Sequence, residues 1–411
     1  MRHSRIASLV LALLAAEAAL WAGPAEDYVD AQLRVVKGLE EQVPSLARIA
    51  AEVAQKLLAG GKLYLAGERG MVLELHVRAG GLCFTEAFQA NKSKLSEKDI
   101  MLLSDYGASL SQAGSGWGEG ASAKTLRVAF VPRKHWVFAK RLVGPVQLIG
   151  VDIPPHCSPA AEPGQEPAMP TAAPALAIAQ WAFVAELIGA CRRQGKQLAV
   201  YLSIHLDEGR KRFERTKGLV FEPDLKPEPV AAGQFAKEFL AHVRGALEAV
   251  RKDEAAKMRT AAEWLRKAKA DGKKVVRHLY GHLPPTEAGL LGDPAQLFTD
   301  TQTGPVGEKG VEWVQKSLAE GDVYLLVGYQ QNEDAMAAAA NKLGARTIFL
   351  TSLGPGETQA RSPLHLYINP HWPLTDGCLE LPGYDVKACP LSCILGLSCY
   401  YATCAEALVG K

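Results

Sequence analysis

The sequence predicts an α/β protein made of two tandem doubly wound parallel sheets, each an αβα unit. Three observations predict it. Short apolar strands alternate with helices of about ten residues or more, the pattern of a parallel sheet covered on both faces. The second half repeats the order of the first: long helix, glycine stop, strand, turn, second helix. Between the halves lies the proline-rich segment Phe221-Glu-Pro-Asp-Leu-Lys-Pro-Glu-Pro229, which reads as a joint. The units expected are 19–217 and 231–411, with a linker over 218–230.

In the first half, Val29, Leu33, Val36, Leu39, Val43, Leu46, Ile49, Val53 and Leu57 recur every three or four positions. That spacing predicts one long amphipathic helix over 26–59, stopped by Gly60-Gly61. A buried strand follows over 62–66, then a turn at Gly67-Glu-Arg-Gly70 and a helix over 71–78. Strands are predicted at 82–85, 126–131 and 146–151, with a helix at 134–142 before the last. Seven prolines between 154 and 174 impose an irregular loop. Residues 175–193 are apolar almost all round and predict a buried helix. A strand at 196–204 and a charged segment at 207–217 complete this half.

In the second half, Phe235, Phe239, Val243, Leu247 and Val250 mark one face of a helical region over 230–270, stopped at Asp271-Gly272. Strands are predicted at 274–280, 297–299, 322–328, 346–351 and 364–368. Helices are predicted at 286–291, 311–319 and 332–343, and a cysteine-bearing helix at 391–409.

Composition narrows the function classes. The chain has 411 residues, 48% of them hydrophobic, enough for two full cores. Its 46 basic and 44 acidic residues leave a formal charge of +2, so no broad positive field exists for nucleic acid. Beyond the first twenty residues no run of 18 apolar residues occurs, so no membrane partner is expected for the body. Arg2, His3 and Arg5, the apolar stretch 6–15 and Ala16-Glu-Ala18 form the three parts of a secretory signal, cleaved after residue 18. An exported protein is expected on that ground, with a cytoplasmic one as the alternative. Of eight cysteines, Cys389, Cys393, Cys399 and Cys404 share one apolar stretch and read as buried thiols. Cys378 and Cys389 are the pair best placed for a disulfide.

Ligands of open parallel sheets sit off the carboxyl ends of the strands, where helix N-termini leave N–H groups free. The loops there are Gly67-Glu-Arg-Gly70, Pro132-Arg-Lys-His135, Gly281-His-Leu-Pro-Pro-Thr286, Gly328-Tyr-Gln-Gln-Asn332 and Thr351-Ser-Leu-Gly-Pro-Gly356.

Two stretches carry a family resemblance. One is Gly60-Gly-Lys-Leu-Tyr-Leu-Ala-Gly67 with Val77-Arg-Ala-Gly-Gly-Leu82. The other is Gly321-Asp-Val-Tyr-Leu-Leu-Val-Gly328 with Arg346-Thr-Ile-Phe-Leu-Thr-Ser352. Together they resemble the SIS (sugar isomerase) phosphosugar-binding domain, the first its opening and the second its central strand–helix–strand. The resemblance implies a sugar or phosphosugar ligand, and a homodimer is left open. Because their loops follow parallel strands, Gly67, Glu68, Arg69, Gly70, Gln330, Gln331, Asn332, Thr351 and Ser352 are the expected ligand-binding residues. The resemblance places Arg78 at a helix end or subunit contact. The chain departs from the family where Tyr329-Gln-Gln-Asn332 replaces a hydroxyl-rich phosphate loop. Amides both donate and accept and suit a neutral sugar, whereas Arg69 suits a phosphate.

His282, at a helix start, and Glu287, five residues on, are the candidate catalytic pair for ring opening and proton transfer in an isomerase. No metal set is expected from His282, His365 and His371, whose spacing matches no ligand pattern. No P-loop, Gly-x-Gly-x-x-Gly or Gly-x-Ser-x-Gly motif occurs, and no cofactor is expected. The readings left open are a sugar or phosphosugar isomerase, an exported two-lobed binding protein without catalysis, and a degenerate SIS scaffold.

Overall fold

The computed structural model describes residues 23–90, 92–105, 124–136, 144–154, 169–204, 206–290, 293, 296–304, 306–329, 333–352, 362–373 and 375–408. The signal segment 1–18 and the amides Gln330, Gln331 and Asn332 lie outside them.

Two five-stranded sheets form, and every pairing in both is parallel. The first holds β1 (Leu63–Gly67), β2 (Glu86–Ala87), β3 (Ile100–Ser104), β4 (Leu126–Pro132) and β5 (Val146–Val151) in the order β2-β1-β3-β4-β5. The second holds β6 (Val275–Leu279), β7 (Asp300–Gln302), β8 (Val323–Val327), β9 (Arg346–Leu350) and β10 (His365–Ile368) in the order β10-β9-β8-β6-β7. Counted within each sheet, both read 2-1-3-4-5. The order reverses beside the first strand of each, which is where such sheets open a crevice.

Side-chain alternation decides which face each strand residue covers. Leu65, Leu102 and Val128 of the first sheet, and Leu325 and Ile348 of the second, enter one hydrophobic core common to both sheets. Their neighbours Tyr64, Met101 and Ala129 build a separate outer cluster, as do Tyr324, Leu326 and Phe349. Between the sheets run two helices buried on all sides, α4 (Ala172–Arg193) and α11 (Ser392–Leu408). Helix α4 is long and apolar enough to cross a membrane, but its apolar window is wholly buried within the protein.

The remaining helices cross between halves. Helices α1 (Pro24–Glu41) and α2 (Val43–Leu58) pack on α11 and α4 respectively. Helix α6 (Gln234–Ala249) lies on α4 and α1, and α7 (Ala255–Ala270) lies on α11. Helix α3 (Arg69–Leu75) meets α8 (Leu283–Leu290), so the first crossover helices of the two sheets touch. Helices α5 (Asp207–Thr216), α9 (Glu308–Ser317) and α10 (Glu333–Lys342) complete the set.

Several elements differ from expectation. The long helix over 26–59 is two helices, parted at Gln42. Pro44 occupies the first turn of α2; it has no N–H to donate and its ring excludes the carbonyl four residues earlier. The region 230–270 is likewise interrupted, by a π-helical turn over Val250–Glu254. The predicted strands at 82–85 and 196–204 reduce to bridges, Leu82 to Val200 and Leu198 to Phe221, both antiparallel. These residues form a small side ladder and do not enter a main sheet. Of the helix expected at 134–142, the described part is a single 3-10 turn, Arg133–His135. The charged segment 207–217 is helix α5, and its Arg212 is not a solvated charge. It is 5% exposed and pairs with Glu222 at 2.8 Å and Asp385 at 3.0 Å.

Strand β3 and the antiparallel pair β11 (Gly377–Leu379) and β12 (Ala388–Pro390) were not expected. Cys378 and Cys389 face each other across that pair with free thiols. The Cys378 Sγ donates to the Cys389 carbonyl at 3.1 Å, while the Cys389 Sγ turns to the Trp181 carbonyl.

Candidate functional site

At the carboxyl edge of the second sheet, over the reversal between β6 and β8, lies a cavity of about 710 Å³. Tyr280, Gly281 and His282 leave β6 into it, and Tyr329 enters from the end of β8. The opposite wall comes from the first half: Val77, Arg78 and Ala79 after α3, and Tyr201 to Ile204 after α4. Asp376, Ser392 and Cys393 close the floor, and Arg210, Phe213 and Glu214 of α5 stand at one side.

The floor is a buried polar cluster built on Arg78, which is 1% exposed. Its Nη1 donates to Glu74 Oε2 at 3.1 Å and to Cys393 Sγ at 2.8 Å. Its Nη2 donates to Asp376 Oδ2 at 3.2 Å and to Ser392 Oγ at 2.7 Å. Glu74 lies on the last turn of α3 and Arg78 four residues on, just past the helix end. Asp376 and Ser392 belong to the second half, and the backbone N–H groups of Leu391 and Ser392 at the start of α11 also donate to Asp376. Trp181 of α4 donates to Glu74 at 3.0 Å. Burial raises both carboxyls above their ordinary range, and the Arg78 charge works against that rise. Burial also pushes the Cys393 thiol up to about 12, so it is a neutral thiol at physiological pH.

His282 is a neutral ring. Burial lowers its pKa to about 3, helped by the nearby Arg78 charge. Its Nδ1 lies 3.2 Å from the Leu73 carbonyl, which can only accept. The proton therefore sits on Nδ1 and Nε2 is an acceptor.

Aromatic rings make up much of the lining. Tyr201 stacks on Phe213 with centroids 5.2 Å apart, and Tyr329 stacks on Trp372 at 5.4 Å. Trp372 faces a second, shallower cavity of about 600 Å³ over the ends of β9 and β10, so the Tyr329–Trp372 pair divides the two. Two lining residues of the main cavity hold positive φ, Val77 at 49° and Asp376 at 66°. A β-branched residue at positive φ is a steric outlier, and such outliers concentrate at binding sites.

The residues predicted from sequence divide among several places. His282 lines the main cavity. Glu287 does not; it is 1% exposed, and its Oε1 fills the space where a side chain on Gly70 would stand, 2.0 Å from that Cβ position. The pair is thus parted by the close approach of α8 to α3. Gly67 takes φ 113° and presses on the Ser104 carbonyl, 2.0 Å from where its Cβ would be, so it serves the turn out of β1. Glu68 is half-buried, and its N–H donates to the same carbonyl at 2.9 Å. Arg69 is exposed and lines none of the described cavities. Thr351 is fully buried; Ser352 donates to the Trp372 carbonyl and lines the second cavity. Sequence reasoning missed Tyr201, Ser203, Phe213, Tyr280, Asp376, Ser392 and Cys393. The signal that was available was Arg78 inside Arg-Ala-Gly-Gly-Leu. The structure uses that arginine to join the two halves, as a contact residue.

No protein-family model and no curated protein sequence matches the chain. Solved structures do. The C-terminal domain of glucosamine-fructose-6-phosphate aminotransferase from Francisella tularensis is similar over 94% of this chain and 97% of its own, with 11% identity and TM-score 0.48. A phosphoheptose isomerase from the same organism covers 44% of this chain with 98% of its own, at 12% identity and TM-score 0.32. The sugar isomerase domain of an RpiR transcription factor from Sphaerobacter thermophilus covers 40% with 86% of its own, at 15% identity and TM-score 0.28.

Proposed function

We propose that this protein binds a carbohydrate derivative in the main cavity. One observation carries the reading: stacked aromatic rings and a fixed polar set converge at the strand-order reversal of a doubly wound sheet. Ligand sites of this size are mostly apolar, with a few placed polar groups. The cavity pairs the aromatic side chains of Tyr201, Phe213 and Tyr329, apolar surface of the kind sugar rings pack against, with hydrogen-bonding groups of both senses. His282 Nε2 accepts and the Ser203 hydroxyl both donates and accepts. The sequence resemblance to SIS domains points to the same ligand class.

The geometry supports binding more directly than isomerisation. Moving a carbon-bound proton needs a base within reach of the substrate. Of the two residues expected to supply it, His282 holds a depressed pKa and Glu287 is packed on Gly70 outside the lining; the lining carboxyls are Asp376, which is paired to Arg78, and Glu214 at one side.

The test is calorimetric titration of aldoses, N-acetylhexosamines and their 6-phosphates, beside Tyr329→Ala and Phe213→Ala. Loss of one ring contact, about 0.5–1.5 kcal/mol, should weaken binding roughly 2–13-fold. Binding by no sugar, or affinities unmoved in both variants, would refute the reading.

A further inference from the structure

We infer that the ligand of the main cavity is an uncharged sugar bearing an apolar substituent, and not a sugar phosphate. This rests on the carbohydrate reading above and narrows it.

The first line of argument is charge. Arg78 is the one cation on the cavity floor among the described residues, and it is already engaged. Both terminal nitrogens have two partners each, and two carboxyls, Glu74 and Asp376, face one guanidinium. A phosphate would have to displace Asp376 or sit beside it, and like charges in a low-dielectric site repel strongly. The other lining cation, Arg210, stands exposed at the side, pairs with Asp207 and neighbours Glu214. Among the described residues the lining therefore offers no surplus positive charge. Neutral hydroxyls meet no such obstacle.

The second line is the rim. Large hydrophobic side chains are exposed at few described positions, and two of them line this cavity: Val77 at 43% and Ile204 at 54%, while Leu206, two residues on, is 38% exposed. Exposed apolar side chains at the mouth of a concave site mark a surface that is covered when the ligand is bound. Val77 is held there at positive φ, a conformation that costs energy and is kept against it. The cavity volume, about 710 Å³, lies in the range of drug-sized ligands, which leaves room for a substituent beyond one sugar ring.

The experiment titrates the full chain with D-glucose, D-galactose and N-acetyl-D-glucosamine, each as the free sugar, its phenyl β-glycoside and its 6-phosphate. For at least one sugar the phenyl glycoside should bind about tenfold or more tighter than the free sugar, the effect of burying a ring-sized apolar group. Its 6-phosphate should bind no tighter than the free sugar. Ile204→Ser with Leu206→Ser should cut the phenyl preference by about fivefold or more. A 6-phosphate that binds tightest, with affinity falling as salt rises, overturns this inference and leaves the carbohydrate reading standing. A phenyl preference unchanged in the double variant also overturns it. Binding by none of the nine compounds overturns the carbohydrate reading itself.

Discussion

Arg78 and Asp376, 298 positions apart in the chain, meet at 3.2 Å with each side chain 1% exposed. This contact ties the segment after α3 to the loop before β11, and it forms the floor of the cavity. A buried ion pair costs desolvation, and its loss is felt according to which charge is left behind.

Arg78→Met leaves Glu74 and Asp376 buried together without a cation. We expect a loss of about 3–5 kcal/mol in urea unfolding at pH 7. Asp376→Asn leaves Arg78 still paired to Glu74 and should cost less, on the order of 1–3 kcal/mol. The reverse ranking would show that Asp376, and not Arg78, anchors the cluster.

The second prediction concerns pH. The folded pKa of His282 is depressed to about 3 from 6.5. Its contribution is therefore present above pH 6.5 and lost as pH falls toward 3, because the unfolded chain takes up the proton first. The slope is up to about 1.4 kcal/mol per pH unit. Stability of the wild type relative to His282→Gln should shrink from pH 7 to pH 5. The raised carboxyls Glu74 and Asp376 have the opposite sign, losing stability as pH rises, and they cancel in the comparison. A pH-independent difference would mean that His282 has the same pKa folded as unfolded, so that burial does not depress it.

Gly70 and Glu287 make a third test. A methyl on residue 70 meets the Glu287 carboxylate at 2.0 Å, so Gly70→Ala should destabilise by about 1–3 kcal/mol. Glu287→Ala opens that space, and the double variant should recover part of the loss. Strict additivity in a double-mutant cycle would show that the two residues do not touch.

Val77 supplies the fourth. Glycine accepts positive φ without strain, and Val77 is 43% exposed, so little burial is lost on its removal. Val77→Gly should raise stability by about 1 kcal/mol, or leave it unchanged once the added freedom of the unfolded chain is counted. In the same variant the preference for a phenyl glycoside should weaken, so stability and binding move apart. A loss of stability above about 2 kcal/mol would indicate buried packing at this position.

The parallel units were legible in the sequence because local pattern encodes them. Leu63 to Gly67 and Val323 to Val327 are apolar runs bounded by polar or glycine residues, and each is followed by a helix, which forces a parallel return. The buried character of α4 was legible because its apolar residues leave no polar face. His282 was legible as a cavity residue because a loop after a parallel strand must open at the sheet's carboxyl edge. Tertiary structure decided the rest. Pro44 and the π turn at Val250–Glu254 interrupt helices whose periodicity continues across the break, so spacing alone hid them. Glu287 reads as a base in sequence, but the approach of α8 to α3 at Gly70 takes its carboxylate out of the lining. The cavity draws on residues near 78, 202, 281, 329, 376 and 392, which no local period links. Their meeting depends on how α4, α11 and two sheets share one core, and packing across hundreds of residues leaves no mark on the spacing within any one segment.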